Sequence, residues 1–118
     1  MISMREAYEK IGADYDGASV RLMGEEMLAR FALKFLDDES MDKFEAAMAA
    51  GDAESAFMAV HTLKGVSQNL GFDNLYEPAV VVTEALRDAH TVDGARDGLH
   101  ALRQQYAATM SALREVAE

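Results

Sequence analysis

Apolar residues recur at spacings of three and four along almost the whole chain, the pattern of amphipathic helices packed against one another. A short helix is predicted over Ser3 to Ile11, followed by a turn from Gly12 to Gly17. From Ser19, a plausible N-cap, to about Leu36, the stripe Val20, Met23, Met27, Phe31 and Phe35 falls on one face. Ser40 is placed to cap a short helix carrying Met41, Phe44, Ala47 and Met48, which Gly51 ends. Asp52 is placed to cap a helix from Ala53 to Leu70, and Gly71 suits its C-terminus. Asp73 could open the next, running to about His90 with Leu75, Ala79, Val82, Leu86 and Ala89 turned inward. Pro78 lies about a turn inside it, where a missing N–H and a crowding ring predict an irregular first turn. The last helix is expected from Val92 to near Val116, with Val92, Ala95, Leu99, Leu102, Tyr106, Met110, Leu113 and Val116 on one side. That near-heptad stripe fits long antiparallel packing.

The expected fold is therefore all-α: an antiparallel four-helix bundle with one or two additional short helices. No stretch has linker composition and no repeat of fixed period occurs, so residues 1–118 are read as a single domain. Composition agrees. Half the residues are hydrophobic, and there is one proline among 118 residues.

Charge narrows the partners. With 21 acidic and 11 basic residues the formal net charge is −10, which opposes binding to nucleic acid or to an anionic membrane. There is no cysteine, hence no disulfide framework and no thiolate metal site. No signal-peptide pattern or long apolar run is present, and a cytoplasmic location is expected. Met1 and the absence of linker composition lead us to expect a free-standing protein.

The chemistry concentrates on the Ala53–Leu70 helix. At about 100° per residue, Ala56, Ala59, Val60, Leu63, Val66, Ser67 and Leu70 share a buried arc. His61 falls nearly opposite, facing solvent in mid-helix. Lys64 and Gly65, at i+3 and i+4, sit beside it, and Gln68 lies a further turn along. Histidine titrates at about 6.5, so an exposed imidazole offers a nucleophilic nitrogen near neutral pH. A phosphoryl group on it would bring roughly −1.5 to −2 charge. Lys64 could offset that charge, and Gln68 could donate a neutral hydrogen bond. Glycine inside a helix costs about 1 kcal/mol relative to alanine, and the helical pattern does not call for Gly65. A bare backbone beside His61 would admit a partner's active site. Phe57 and Met58 also fall on this outer side. They are read either as an exposed apolar docking patch or as residues packed under one of the short helices.

The run His61-Thr62-Leu63-Lys64-Gly65-Val66-Ser67, with Gly71 and Leu75 after it, resembles the H-x-L-K-G-x-S-x-x-x-G-x-x-x-L signature of histidine-phosphotransfer (HPt) domains. The resemblance implies a four-helix bundle with His61 as phosphoacceptor, and Lys64 and Gly65 carry over by direct match. Ser67 matches the family's small polar position at the edge of the core. Many members also place a polar residue on the following helix facing the histidine; Thr83, with Arg87 beyond it, is the nearest candidate. The implied role is that of a phosphorelay intermediate in two-component signalling, a monomer and not an enzyme. It would exchange phosphoryl with receiver domains of response regulators, or take it from a hybrid sensor histidine kinase. No cofactor is implied for the chain itself, since the receiver brings Mg²⁺ and the catalytic groups.

Two other readings compete. A bundle that only docks partners needs the same surface without the chemistry. A metal-binding bundle needs Glu-x-x-His pairs on facing helices. The residues three before His61, His90 and His100 are Met58, Arg87 and Asp97, and one acidic near match does not make such a site. His90 and His100 are read as structural or incidental.

Overall fold

The computed structural model describes residues 1–117. Among them there is no strand. The helices are α1 (Met4–Ile11), α2 (Tyr15–Arg21), α3 (Glu25–Lys34), α4 (Ser40–Ala50), α5 (Ala53–Asn69), α6 (Asp73–Leu86) and α7 (Leu99–Ala117), with 3-10 turns at Phe35–Asp37 and Asp93–Gly98. Helices α4 to α7 form the bundle, and its shortest member, α4, is the Ser40 segment that the sequence reads as a short helix. The Gly51-Asp52 and Leu70–Phe72 connections are too short for anything but a reversal, so α4, α5 and α6 pack as antiparallel neighbours. Around the bundle are three short helices, one more than the upper expectation.

The extra helix comes from a break in the segment read as one helix from Ser19 to Leu36. Ser19 lies inside α2, whose cap is Asp14, accepting from the Gly17 N–H at 3.0 Å; only residues 12–14 of the expected turn lie outside helices. Met23 (φ 65°) and Gly24 (φ 127°) then turn the chain between α2 and α3. The break resets the helical phase. Leu28, Ala32 and Phe35 are buried, whereas Val20 and Met23 of the predicted stripe are exposed.

Several boundaries follow local chemistry. Ser3 and Glu6 form a reciprocal capping box on α1. Asp52 caps α5 through the Ser55 N–H at 3.1 Å. At the other end of α5, Gly71 is left-handed (φ 73°), and the N–H groups of Gly71 and Phe72 return to the carbonyls of Gln68 and Ser67. Ser40 and Asp73 are the first residues of their helices rather than caps; Glu39 and Phe72 take those places, without a side-chain hydrogen bond. Helix α6 runs unbroken past Pro78. In its first turn the Phe72 carbonyl accepts from both Leu75 and Tyr76. It stops at Leu86, so Ala89 and His90 lie beyond it. The final helix opens with a 3-10 segment containing Gly94 and Gly98, each of which weakens a regular helix.

The core holds the inward stripes of all four bundle helices, with Tyr8, Phe35, Phe44 and Phe72 as its largest fully buried side chains. Tyr8 brings α1 down over the C-terminal end of α5. Its hydroxyl donates to the Leu70 carbonyl at 2.7 Å, and its ring meets those of Tyr15 and Phe72. Burial pushes the Tyr8 phenol well above its ordinary range, with the neighbouring Tyr15 adding to the effect. The α2 helix rests on the same end: the Asp14 N–H donates to the Gly71 carbonyl at 2.7 Å.

Candidate functional site

The outer face of α5 is built by the helical period. Its inner side buries Ala56, Val60, Leu63 and Ser67 completely. His61, pointing the other way, is exposed in the middle of the helix. Relative to His61, Phe57 and Lys64 project toward α6, whereas Met58 and Gly65 project toward α4.

On the α6 side the imidazole stacks on Phe57, with ring centroids 5.6 Å apart and planes 29° apart. The Arg87 guanidinium lies 5.3 Å from the centroid of the Phe57 ring, within cation–π range. Arg87 itself is held by Glu84, donating from Nε at 3.2 Å and Nη2 at 3.0 Å. The hydrogen bonds from Arg87 keep the Glu84 carboxyl below its ordinary range, and the charges of Arg87 and Lys64 act in the same direction. Lys64 is half-buried on this side and forms no ion pair among the described residues.

On the α4 side, Met58 is 60% exposed and lines a shallow groove with Lys43, Glu54 and Thr62. A Cβ added at Gly65 would meet nothing within 4 Å. Packing inside the molecule therefore gives no reason for the glycine. Gln68 is exposed one turn beyond, and its carbonyl accepts from Arg21 Nη2 at 3.1 Å. Ser67 is fully buried, and its hydroxyl has no hydrogen-bond partner among the described residues.

The structure thus brings His61, Phe57, Lys64, Gly65 and Gln68 to one face, but it divides the expected apolar patch. Phe57 is half-buried against the core beneath Arg87, and Met58 stands free on the opposite flank of His61. The two positions are a hundred degrees apart on the wheel, which a docking patch read from adjacency in sequence overlooks. Thr83 does not reach the histidine. It is fully buried and donates to the Ala79 carbonyl at 2.6 Å. Arg87, the C-cap of α6, is the residue tied to the site, through Phe57. The Glu84–Arg87 spacing of three residues is a sequence signal for their ion pair. Its placement over Phe57 is not, because it depends on how α6 packs against α5.

The surface so assembled offers an accessible imidazole, a cation beside it, and a clear approach over Gly65. No curated protein and no solved structure matches this chain. A family model does, described as the Hpt domain, over residues 26–115 of the 118. The match runs from within α3 to within α7 and takes in the whole outer face around His61. The chain belongs to the Hpt domain family, whose members are phosphocarriers that work by histidine phosphotransfer in two-component phosphorelays, with receiver domains and kinases as their partners.

Proposed function

We propose that His61 is the phosphoacceptor, taking a phosphoryl group from the aspartate of one receiver domain and passing it to another. In the first step a ring nitrogen attacks phosphorus. The P–N bond forms as the P–O bond of the acyl phosphate breaks, and the aspartate carboxylate leaves. The second step is the reverse reaction with a different receiver. In-line attack needs the two reacting groups pressed close, and positioning supplies most of the rate. The divalent cation and the carboxylates that hold it come with the receiver. This chain contributes the nucleophile, its orientation and its docking face.

The observation that carries the reading is the pairing of exposed His61 with unoccupied space over Gly65 one turn away. Phe57 orients the imidazole by stacking. Lys64 is placed to offset the charge that arrives with the phosphoryl group. Arg87 lies behind Phe57 as a second cation, already engaged by Glu84. The apolar surface of Met58 and the α4 groove would form part of the contact.

The test is transfer from a phosphorylated receiver to the full chain. Label should appear that is acid-labile and base-stable, and His61→Gln should abolish it. Label that persists in His61→Gln would remove the assignment. Lys64→Ala should shorten the lifetime of the phosphohistidine, and an unchanged lifetime would count against a role for that charge.

A further inference from the structure

Residues 1–25 lie outside the family match, yet they build a structure against the C-terminal end of the reactive helix. Arg21 reaches the C-terminal end of α5 and donates from Nη2 to the carbonyls of Gln68 (3.1 Å) and Asn69 (3.5 Å). Gln68 is seven residues from His61, about 10 Å along the helix. On either side of Arg21 stand Val20, 80% exposed, and Met23, 89% exposed. Met23 adopts φ 65°, a conformation that favours glycine, and its side chain packs on nothing that would repay the strain. A large apolar side chain is kept in water at a strained position beside the reactive helix.

Charge on this side is arranged for a partner as well. Arg5, Lys10, Lys43, Arg87, Arg96 and Arg103 each pair with a carboxylate. Arg21, Arg30, Lys34, Lys64 and Arg114 do not pair with one among the described residues, and the first three of these lie on α2 and α3. Lys34 lies in the cleft between α3 and the C-terminal half of α5, with Val66 and Asn69 across from it. On a chain of net charge −10, cations without a carboxylate partner oppose the prevailing field, although Asp38 also lines the Lys34 cleft. A receiver domain carries its phosphoryl group among carboxylates, which gives it an acidic rim of the complementary sign.

We propose that the α2–α3 turn, through Val20 and Met23, and Lys34 beside it form a second docking element for the receiver that exchanges phosphoryl with His61. This rests on the phosphocarrier reading above. A standard interface covers about 800 Å² per partner, a disc of about 16 Å radius. Centred on His61, that disc reaches the end of α5 where Arg21 is bound. The turn meets the rim of the receiver and contributes to the choice among receivers.

The experiment uses the full chain and a receiver domain phosphorylated by acetyl phosphate, chosen from a panel as the fastest donor. Initial transfer rates are measured against receiver concentration at low and high salt. The double variant V20S/M23G should raise the half-saturating concentration about tenfold, the size of a modest interface hot spot, while the saturating rate falls less than about twofold. Its thermal midpoint should be no lower than that of the unaltered chain, because glycine relieves the strained φ. Lys34→Glu should raise the half-saturating concentration at low salt, with the effect shrinking at high salt. Unchanged half-saturation in both variants, with His61→Gln still abolishing label, would overturn the second docking element and leave the phosphocarrier reading standing. Failure of the unaltered chain to take label from any receiver would overturn both.

Discussion

Two positions break the local rules of backbone chemistry in opposite directions, and a third obeys them strictly. Gly65 sits in the middle of a 17-residue helix with open space where a side chain would be. Gly65→Ala should therefore stabilise the fold by about 1 kcal/mol, the propensity difference, while slowing phosphoryl transfer. Urea unfolding and a transfer assay on the same variant would show both changes, and a variant that gained neither stability nor a transfer defect would refute the access argument. Met23 is the converse, a bulky residue where glycine is favoured, at a strain of about 1–2 kcal/mol. Gly71 has a purely structural reason. Its φ is 73°, and a Cβ there would come within 2.5 Å of the Asp14 carbonyl oxygen and 2.9 Å of the Ala18 Cβ. Gly71→Ala should cost about 2 kcal/mol or more, from left-handed strain plus displacement of α2. A denaturant midpoint close to that of the unaltered chain would show that α2 yields easily.

At the scale of one element, α5 is held at both ends by groups that serve its C-terminal carbonyls and N-terminal amides. Asp52 accepts from the Ser55 N–H and, at 2.7 Å, from the Ser55 hydroxyl. These hydrogen bonds lower the Asp52 carboxyl from its ordinary 3.8. A group depressed on folding contributes fully above its unfolded value, and the contribution is lost as pH falls through the folded one. Asp52→Ala should thus destabilise the chain at neutral pH, with the difference narrowing below about pH 4 as the unaltered carboxyl protonates. Thermal melts of both proteins across that range would check it, and a pH-independent gap would show that the ionised cap is not the cause. At the far end, Tyr8, Arg21 and the Gly71–Phe72 turn take up the carbonyls of Ser67 through Leu70. The reactive histidine is thereby carried on a helix fastened at both termini.

The whole molecule is about 42 Å long and 25 by 20 Å across, with the α5 outer face running along part of its surface. The bundle is closed partly at its surface, where Arg103 grips Glu45 in two hydrogen bonds of 2.7 and 2.8 Å between α7 and α4. Exposed pairs of this kind contribute about 1 kcal/mol or less, so burial of the four helical stripes carries the fold. The Tyr8 hydroxyl links the N-terminal helix to this core. Tyr8→Phe leaves the Leu70 carbonyl without its donor and should cost about 1–3 kcal/mol. Burial also raises Tyr8, Tyr15 and Tyr106 above the ordinary 10.0. Each favours the neutral phenol in the folded state. Their contribution is complete below about pH 10 and is lost as pH rises through the elevated values. Stability should fall steeply above pH 10, and less steeply in Tyr8→Phe. Identical alkaline slopes would assign the loss to the other tyrosines.

Much of the site was legible because it lies on one helix, where angle and rise follow from position alone. The register of His61 against Val60, Leu63 and Ser67 needs only the 3.6-residue period, and so do its neighbours Lys64, Gly65 and Gln68. Helix ends at Gly51, Asp52 and Gly71 were also readable, since a cap or a left-handed turn is a property of a few adjacent residues. The break at Met23-Gly24 was not. A single glycine does not state whether a helix continues, and here the outcome depends on α2 seating against the end of α5. The same holds for Arg87 over Phe57, for Thr83 turned into the core, and for Arg21 on the Gln68 carbonyl. The amino-acid sequence by itself determined which residues form the reactive face of α5, because that geometry is local and periodic. Only the tertiary structure decided what surrounds that face, because contacts between helices depend on crossing geometry and side-chain packing that no single segment contains.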